Sequence, residues 1–301
     1  MTGTVGRYAP SPTGPLHLGN LRTALLCWLH ARANGGSLLV RMDDLDSPRN
    51  RPGAAERILE DLRWLGLDWE GEVVVQSARG EQYQDAFELL GEAGSTFPCR
   101  CSRRDIETAP GVPDPRFPTP RYPGTCRPEN SPPAFSLDEP VAWRFQVADE
   151  TLEFRDGILG PRRANLADYP GDFVIRRKDG IFAYQLASVV DDGLLGVTDV
   201  VRGADLADST ARQIALFRAL GYPVPRFWHV PLMTDAAGMK LSKRDGADSL
   251  NTLRAEGRSP AEIVGMLGSS LGLCPAGARR DAHALLRDLR PDFLGRLAAS
   301  V

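Results

Sequence analysis

The sequence predicts an α/β fold, with helices packed on a parallel sheet, and three segments near its start support this prediction. Val5 to Tyr8 reads as a short strand, Asn20 to Ala33 carries apolar residues at helical spacing, and Ser37 to Met42 is an apolar run typical of a buried strand. Strand, helix and strand in this order open a parallel βαβ unit. Ligands bind such sheets at the carboxyl ends of the strands, so we expect a ligand loop at residues 9–20 of a Rossmann-type domain.

Apolar periodicity also predicts the elements that follow. Two helical stretches come next, and after a change in composition near residue 95 the alternation of strands and helices resumes near Asp172. The predicted helices are Gly53 to Leu65, Gly80 to Ala93, Tyr184 to Val190 and Ser209 to Leu220, and the predicted strands are Phe173 to Arg176, Thr198 to Arg202 and Trp228 to Met233. We assign these three strands to the parallel sheet and expect only helices after Lys243.

An insertion interrupts the predicted sheet. Residues 95–133 hold three of the five cysteines and many prolines, and alternating apolar residues at Val141 to Val147 and Leu152 to Arg155 predict small antiparallel strands. We therefore predict four segments, which are the first half of the sheet domain at 1–94, an inserted subdomain at 95–171, the second half of the sheet domain at 172–245 and a short helical C-terminal region at 246–301.

Composition restricts the compartment and the partners. The chain of 301 residues begins without a basic and apolar leader and has no run of about 18 apolar residues. We expect a cytoplasmic protein with no membrane partner. Its net charge of -3 argues against extensive wrapping of a nucleic acid. Arg103-Arg104, Arg162-Arg163 and Arg176-Arg177-Lys178 could each form a local phosphate-binding patch or a solvated surface.

The loop before the first helix has residues suited to a phosphate group. The segment at 7–20 reads RYAPSPTGPLHLGN and places His17 and Gly19 at the mouth of the helix. The glycine allows a nucleotide to approach the backbone, and the helix N-terminus favours an anion. The imidazole can donate a hydrogen bond to a phosphate in its transition state. A histidine and a glycine alone are a weak signal, but the strand, loop and helix around them strengthen it.

A second motif follows the last predicted strand, at MKLSKR of residues 239–244. Together the two motifs resemble those of the class I aminoacyl-tRNA synthetases in their glutamate-specific branch, over about residues 5–250. Leu241 and Arg244 stand where the family has methionine and serine. The resemblance implies Mg²⁺ and ATP, with nucleotide binding by His17, Gly19, Asn20, Lys240, Ser242 and Lys243. It also implies catalytic roles for His17, Lys240 and Lys243, the last neutralising charge as pyrophosphate leaves.

The same resemblance implies an L-glutamate pocket. Its residues are Arg7, Ala9, Ser11, Asp43, Tyr184 and Arg202. Fixed arginine forks explain a preference for glutamate over neutral glutamine, although any one arginine could instead form a structural salt bridge. The family has glutamate where this chain has Asp43, one methylene shorter, so contact with the substrate ammonium is direct, through water or supplied by Asp44.

The cysteine cluster is a zinc candidate. Cys99, Cys101 and Cys126 lie close together in the sequence, and three thiolates suit tetrahedral zinc with a fourth ligand. No histidine occurs between His30 and His229. The resemblance implies Tyr122 as the fourth ligand. The alternative is three reduced cysteines in a metal-free insertion.

Little sequence follows Lys243, and we expect no helical anticodon-binding region. In this the chain resembles the shortened paralogues of glutamyl-tRNA synthetase that transfer glutamate to queuosine in the anticodon loop of tRNA(Asp). This implies a monomeric ligase that forms glutamyl-adenylate and then modifies the wobble base. Two alternatives remain, a truncated synthetase that charges tRNA(Glu) and a non-catalytic zinc-containing RNA-binding paralogue.

Overall fold

The protein is described by a computed structural model, which covers residues 3–109, 120–130, 140–233 and 249–297. Its strands are β1 (Val5–Tyr8), β2 (Ser37–Met42), β3 (Val74–Val75), β4 (Thr96–Cys99), β5 (Ala142–Phe145), β6 (Thr151–Asp156), β7 (Gly160–Asn165), β8 (Phe173–Arg176), β9 (Asp199–Gly203) and β10 (Arg226–Val230). Its helices are α1 (Leu18–Ala33), α2 (Ala54–Trp64), α3 (Gly80–Glu92), α4 (Arg103–Glu107), α5 (Tyr184–Leu194), α6 (Thr210–Ala219), α7 (Leu250–Ala255), α8 (Pro260–Ser269), α9 (Ala282–Asp288) and α10 (Phe293–Leu297).

The main sheet has the order β3-β2-β1-β9-β10-β6-β7. All its pairs are parallel except the hairpin of β6 and β7. The predicted α/β class with a parallel sheet is therefore confirmed. From β1 the chain builds outward through β2 and β3, whereas β9 and β10 extend the sheet in the opposite direction. The carboxyl ends of β1 and β9 thus flank a topological switch point, where open α/β sheets bind ligands.

One strand assignment made from the sequence is wrong, and a second is only partly right. β8 does not join the parallel sheet but closes a small antiparallel sheet of order β4-β5-β8. β6 is antiparallel, as predicted, in its pair with β7, but it also pairs with β10 and so extends the main sheet. Alternating burial, seen in β8 as in β4, reports that one face of a strand is covered. It does not report which neighbour accepts the backbone hydrogen bonds. The four predicted segment boundaries stay a prediction.

Two apolar cores lie on the faces of the sheet. One surrounds α1 and includes Leu25, Trp28 and Ile263, so that the C-terminal helices cover the outer side of α1. The other joins α3, α5 and α6 through residues such as Leu186 and Phe217. Among the described residues, no helix is both long and apolar enough to cross a membrane. The two cores hold β1, β9 and the start of α1 in a fixed relation, which positions the site.

Candidate active site

A cleft of about 570 Å³ opens at the carboxyl ends of β1, β9 and β10. It is lined from one side by the loop after β1 and the start of α1, and from the other by the residues that follow β9 and β10. Predicted site residues that line it are Arg7, Ala9, Ser11, His17, Gly19, Asn20, Asp43, Tyr184 and Arg202. The fold therefore brings together the described members of both the nucleotide motif and the glutamate set.

His17 is the N-cap of α1. Its Nδ1 accepts hydrogen bonds from the backbone N–H groups of Gly19 at 3.1 Å and Asn20 at 3.4 Å, and the Asn20 side chain accepts in return from the His17 backbone. In a neutral imidazole the nitrogen that accepts carries no proton, so the proton lies on Nε2. The cap therefore leaves His17 with a donor at Nε2, while Nδ1 completes the helix end.

Gly19 allows this cap to form. A Cβ atom at position 19 would lie 3.0 Å from Cε1 and 3.1 Å from Nδ1 of His17. These separations are tighter than nine in ten real Cβ contacts, so a side chain at position 19 would require the imidazole to shift by a few tenths of an ångström. The spacing of histidine and glycine thus has a steric reason in addition to the access it gives a nucleotide.

Arg7 and Arg41 share a buried carboxylate. Nε of Arg7 lies 3.2 Å from both oxygens of Asp192, and Nη1 of Arg41 lies 2.6 Å from Oδ1 of the same group. Burial alone would raise the pKa of Asp192, but the charges of Arg7 and Arg41 outweigh burial and lower it below its ordinary value. Asp192 is therefore ionised and holds the Arg7 guanidinium against the wall of the cleft.

Asp43 lines the cleft but also pairs with a protein cation. Its Oδ1 accepts from Nε of Arg41 at 2.6 Å. Burial raises the pKa of Asp43, and the charge of Arg41 opposes this without cancelling it. Asp44 has a different role, since its carboxylate accepts from the backbone N–H and the hydroxyl of Ser77 at 2.8 and 2.6 Å. It is absent from the described lining of the cleft, which favours Asp43 over Asp44 as the group that meets a ligand.

Several residues of the site were not predicted from the sequence. Asp192 and Arg41 support Arg7, as described above, and Arg22 lines the cleft and donates to the backbone oxygen of Pro231. Burial lowers the pKa of Arg22. A signal was present for Asp192, because two adjacent acidic residues on the buried face of an otherwise apolar helix require partners. Arg22 follows Gly19 by three residues and so shares its face of α1.

The second nucleotide motif lies outside the described residues. This applies to the predicted Lys240, Ser242 and Lys243. The residues on either side of that stretch are at the cleft, since Met233 lines it and Ser249 forms an antiparallel bridge with His17.

The cysteine cluster forms a separate site in the small sheet region. The sulfur atoms of Cys99, Cys101 and Cys126 all lie within 4.8 Å of one another, and those of Cys101 and Cys126 are 3.6 Å apart. Thiolates bound to one tetrahedral zinc at about 2.3 Å would be roughly 3.8 Å apart, so the cluster fits such an ion. The Tyr122 hydroxyl lies 3.5 Å from Sγ of Cys99, within reach of the same centre.

A cation, Arg144, lies beside the cluster. Nε of Arg144 donates to Sγ of Cys99 at 3.1 Å, and its guanidinium lies 3.8 Å from the centre of the Tyr122 ring. Burial and the neighbouring Cys99 raise the pKa of Tyr122, so the phenol is neutral unless a cation binds. The predicted residues therefore converge, and three thiols with one phenol are the set that could hold the metal.

Comparisons with known proteins agree with this geometry. Residues 4–280 match the family of class I tRNA synthetases for E and Q, catalytic domain. The chain is 48% identical over 284 residues to a protein of Parasynechococcus marenigrum named glutamyl-Q tRNA(Asp) synthetase, covering 94% of this chain and 88% of that protein. A protein of the same name from Nocardia farcinica is 47% identical over 297 residues, with coverage of 98% and 92%.

Solved structures show the same fold in longer proteins. The glutamate-tRNA synthetase of Elizabethkingia anophelis superposes with a TM-score of 0.82 at 27% identity. The glutamate tRNA ligase of Elizabethkingia meningosepticum, solved in complex with its amino acid, gives the same two values. These matches cover 97% and 96% of this chain but only 66% and 65% of the two solved chains.

Proposed function

Because this chain belongs to the class I tRNA synthetases of the glutamyl and glutaminyl type, we propose that it activates L-glutamate with ATP and transfers the glutamyl group to queuosine at the wobble position of tRNA(Asp). The observation that carries the proposal is the shared cleft, in which the glutamate set and His17 face one cavity. Relatives that cover most of this chain and are named glutamyl-Q tRNA(Asp) synthetase support the choice of acceptor.

In the first step an oxygen of the α-carboxylate of glutamate attacks the α-phosphorus of ATP, and pyrophosphate leaves from the opposite side. Arg7, Tyr184 and Arg202 hold the side-chain carboxylate, Ala9 and Ser11 line the same end, and Asp43 meets the ammonium. These contacts hold the attacking oxygen near the phosphorus, so the reaction between two bound substrates becomes effectively unimolecular. Mg²⁺, when bound with ATP, would supply positive charge that offsets part of the charge of the triphosphate.

His17 acts at the α-phosphate. Because Nδ1 accepts from the backbone, the proton lies on Nε2, and we assign it the role of donor to a phosphate oxygen whose charge increases in the transition state. The N-terminus of α1 adds the partial positive charge of the helix dipole. Lys240 and Lys243 with Ser242 complete the nucleotide site on the triphosphate side. In the second step a hydroxyl of queuosine attacks the activated carbonyl, and AMP leaves.

We further propose that Cys99, Cys101, Cys126 and Tyr122 bind one Zn²⁺ per chain. Their close approach and the Arg144 guanidinium beside them support this. The cluster stabilises the small sheet, because it joins the end of β4 to the loop around Tyr122, 23 positions later in the sequence. It belongs to a different part of the fold from the cleft, so we assign it no chemical role. We propose that the protein acts as a monomer in the cytoplasm.

The decisive experiment compares three purified acceptors with labelled glutamate and ATP. These are tRNA(Asp) with queuosine, the same tRNA with guanosine at the wobble position, and tRNA(Glu). We expect labelling of the first alone, and nuclease fragments should place the label in the anticodon loop. Removal of the 3′-terminal adenosine should leave the labelling unchanged, because that end is not the acceptor.

A second candidate is charging of tRNA(Glu) at its 3′ end, which the two solved glutamate-tRNA synthetases favour. Labelling of tRNA(Glu) that disappears when its terminal adenosine is removed would establish this candidate and reject queuosine as the acceptor. No activation of glutamate with any RNA would reject both and leave a non-catalytic role.

A further inference from the structure

Arg202 is a buried cation whose bonded partners are neutral. Its side chain is 4% exposed, and its nitrogens donate to Nε2 of His229 at 2.9 Å, Oε1 of Gln213 at 2.6 Å and Oγ1 of Thr210 at 2.9 Å. Within the described ranges, no carboxylate forms a salt bridge with Arg202, whereas Arg7 and Arg41 both pair with Asp192. Buried charges normally have a counter-ion. The Arg202 site is therefore prepared for an anion that the protein itself does not supply.

His229 accepts a hydrogen bond from Arg202, and this determines its tautomer. A guanidinium only donates, so Nε2 of His229 must be the unprotonated nitrogen. The proton then lies on Nδ1 and is donated to Oδ2 of Asp156 at 2.6 Å. A protonated Nε2 would carry a hydrogen that points at the N–H of Arg202, and it could not accept a hydrogen bond from that group.

Asp156 is in turn held by the backbone. Its Oδ1 accepts from the N–H groups of Leu159 at 2.8 Å, Ile158 at 2.9 Å and His229 at 3.3 Å. These bonds and His229 outweigh burial and lower the pKa of Asp156. Burial lowers the pKa of His229 in spite of Asp156, and Arg202 acts in the same direction. Arg202 therefore donates a hydrogen bond to neutral His229, and His229 donates one to ionised Asp156.

We propose that His229, oriented by Asp156, is a positioning residue that sets the direction of the Arg202 guanidinium and thereby the discrimination between glutamate and glutamine. The proposal rests on the proposed role of Arg202 as the ligand of the side-chain carboxylate. Three of the five N–H groups of Arg202 are directed by His229, Thr210 and Gln213, and Tyr184, another member of the glutamate set, also contacts the guanidinium. Two parallel N–H groups match a carboxylate, whereas the amide of glutamine offers one acceptor and one donor.

The test uses Asp156→Asn to reverse the tautomer. The amide oxygen can keep the three backbone bonds at Oδ1, and the amide nitrogen then donates to Nδ1 of His229 and moves the proton to Nε2. We expect the KM and Kd for glutamate to rise roughly 10-fold or more, as for a buried donor that loses its acceptor. The ratio of kcat/KM for glutamate to that for glutamine should fall by a similar factor, with the KM for ATP unchanged.

Two substitutions at position 229 separate the hydrogen bond to Arg202 from the hydrogen bond to Asp156. His229→Gln can still place an oxygen near Nε of Arg202, whereas His229→Asn is too short to reach it but can still meet Asp156. We expect His229→Gln to retain more of the discrimination than His229→Asn. The matched control is His30→Asn, because His30 forms a second buried pair at 3.0 Å with Asp199, on the same strand as Arg202 but away from the cleft. It should lower stability without changing the ratio.

Imidazole ¹⁵N spectra provide a readout that does not depend on activity. The chain has four histidines, so the His229 signals can be assigned by their loss in His229→Asn. We expect a neutral His229 protonated at Nδ1, and at Nε2 in Asp156→Asn. Protonation at Nε2 in the unaltered protein would overturn the proposal, as would an unchanged glutamate to glutamine ratio in both Asp156→Asn and His229→Asn. If the unaltered protein binds glutamate without activating it, the proposed function fails, and the Kd ratios still decide the role of His229.

Discussion

The Asp192 carboxylate accepts a hydrogen bond from Nε of Arg7 at 3.2 Å. The two side chains form a buried ion pair in which each is 4% exposed. Removing one charge of such a pair leaves the other buried without a partner, which typically costs about 3 kcal/mol or more. We predict that Asp192→Asn lowers the free energy of unfolding by that order and also weakens glutamate binding. Urea denaturation and calorimetric titration with glutamate measure the two effects.

The difference in stability between the unaltered protein and Asp192→Asn should depend on pH. Because the folded pKa of Asp192 is lowered, its contribution is complete above the unfolded pKa, about 3.9. It should decline as the pH falls below that value and disappear once the pH has passed the folded pKa. A difference that grows on acidification would contradict the assignment of an ionised Asp192.

His17 combines two roles that substitution can separate. Asparagine is a good N-cap but has no donor in the place of Nε2, whereas alanine loses both functions. We predict that His17→Asn lowers glutamate-dependent ATP–pyrophosphate exchange by about 10²-fold with little loss of stability. His17→Ala should show a similar loss of exchange and a further loss of about 1 kcal/mol in stability. Normal exchange in His17→Asn would remove the imidazole from the phosphate site.

Lys243 is expected to neutralise the departing pyrophosphate. We predict that Lys243→Ala lowers the same exchange by about 10²-fold or more while the melting temperature stays unchanged, since one preorganised charge is removed. Arg244→Ala, the adjacent cation, serves as the matched control and should retain most of the activity. Near-normal exchange in Lys243→Ala would exclude that residue from the reaction.

The zinc proposal predicts about one metal ion per chain in protein prepared without chelator. Elemental analysis should show zinc in the unaltered protein and its loss in Cys126→Ala, because one of the four protein ligands of the tetrahedral site would be missing. Tyr122→Phe should weaken retention of the ion against a competing chelator without removing it at once. A metal-free unaltered protein with normal stability would instead favour three reduced thiols.

Glutamate activation should proceed without RNA. Arg7, Arg41 and Asp192 are already assembled by protein contacts, so no acceptor is needed to order this end of the cleft. We predict glutamate-dependent exchange between ATP and labelled pyrophosphate in the absence of any tRNA. Exchange that begins only after tRNA is added would show that the acceptor completes the site.

Sequence reasoning recovered the elements that make the cleft and nine of the 25 residues that line it. The segment from Arg7 to Asn20 was interpretable because strand, loop and helix are contiguous and their geometry is local. Sequence reasoning missed Asp192, Arg22 and the pair of His229 with Asp156. These residues act through partners that are distant in the sequence, 185 positions away in the bond from Arg7 to Asp192 and 209 in the bond from Arg22 to Pro231.

By itself the sequence determined the α/β class, the place of His17 at the mouth of the first helix and the convergence of three cysteines, because each depends on spacing within one element or on a shared residue type. Only the tertiary structure decided that β8 leaves the parallel sheet and that β6 joins it. Only the tertiary structure brought Asp156 and His229 to Arg202. The physical reason is the same in each case, since a periodic pattern shows that a face or a polar group is buried, whereas the backbone or side chain that satisfies it is chosen when distant segments pack together.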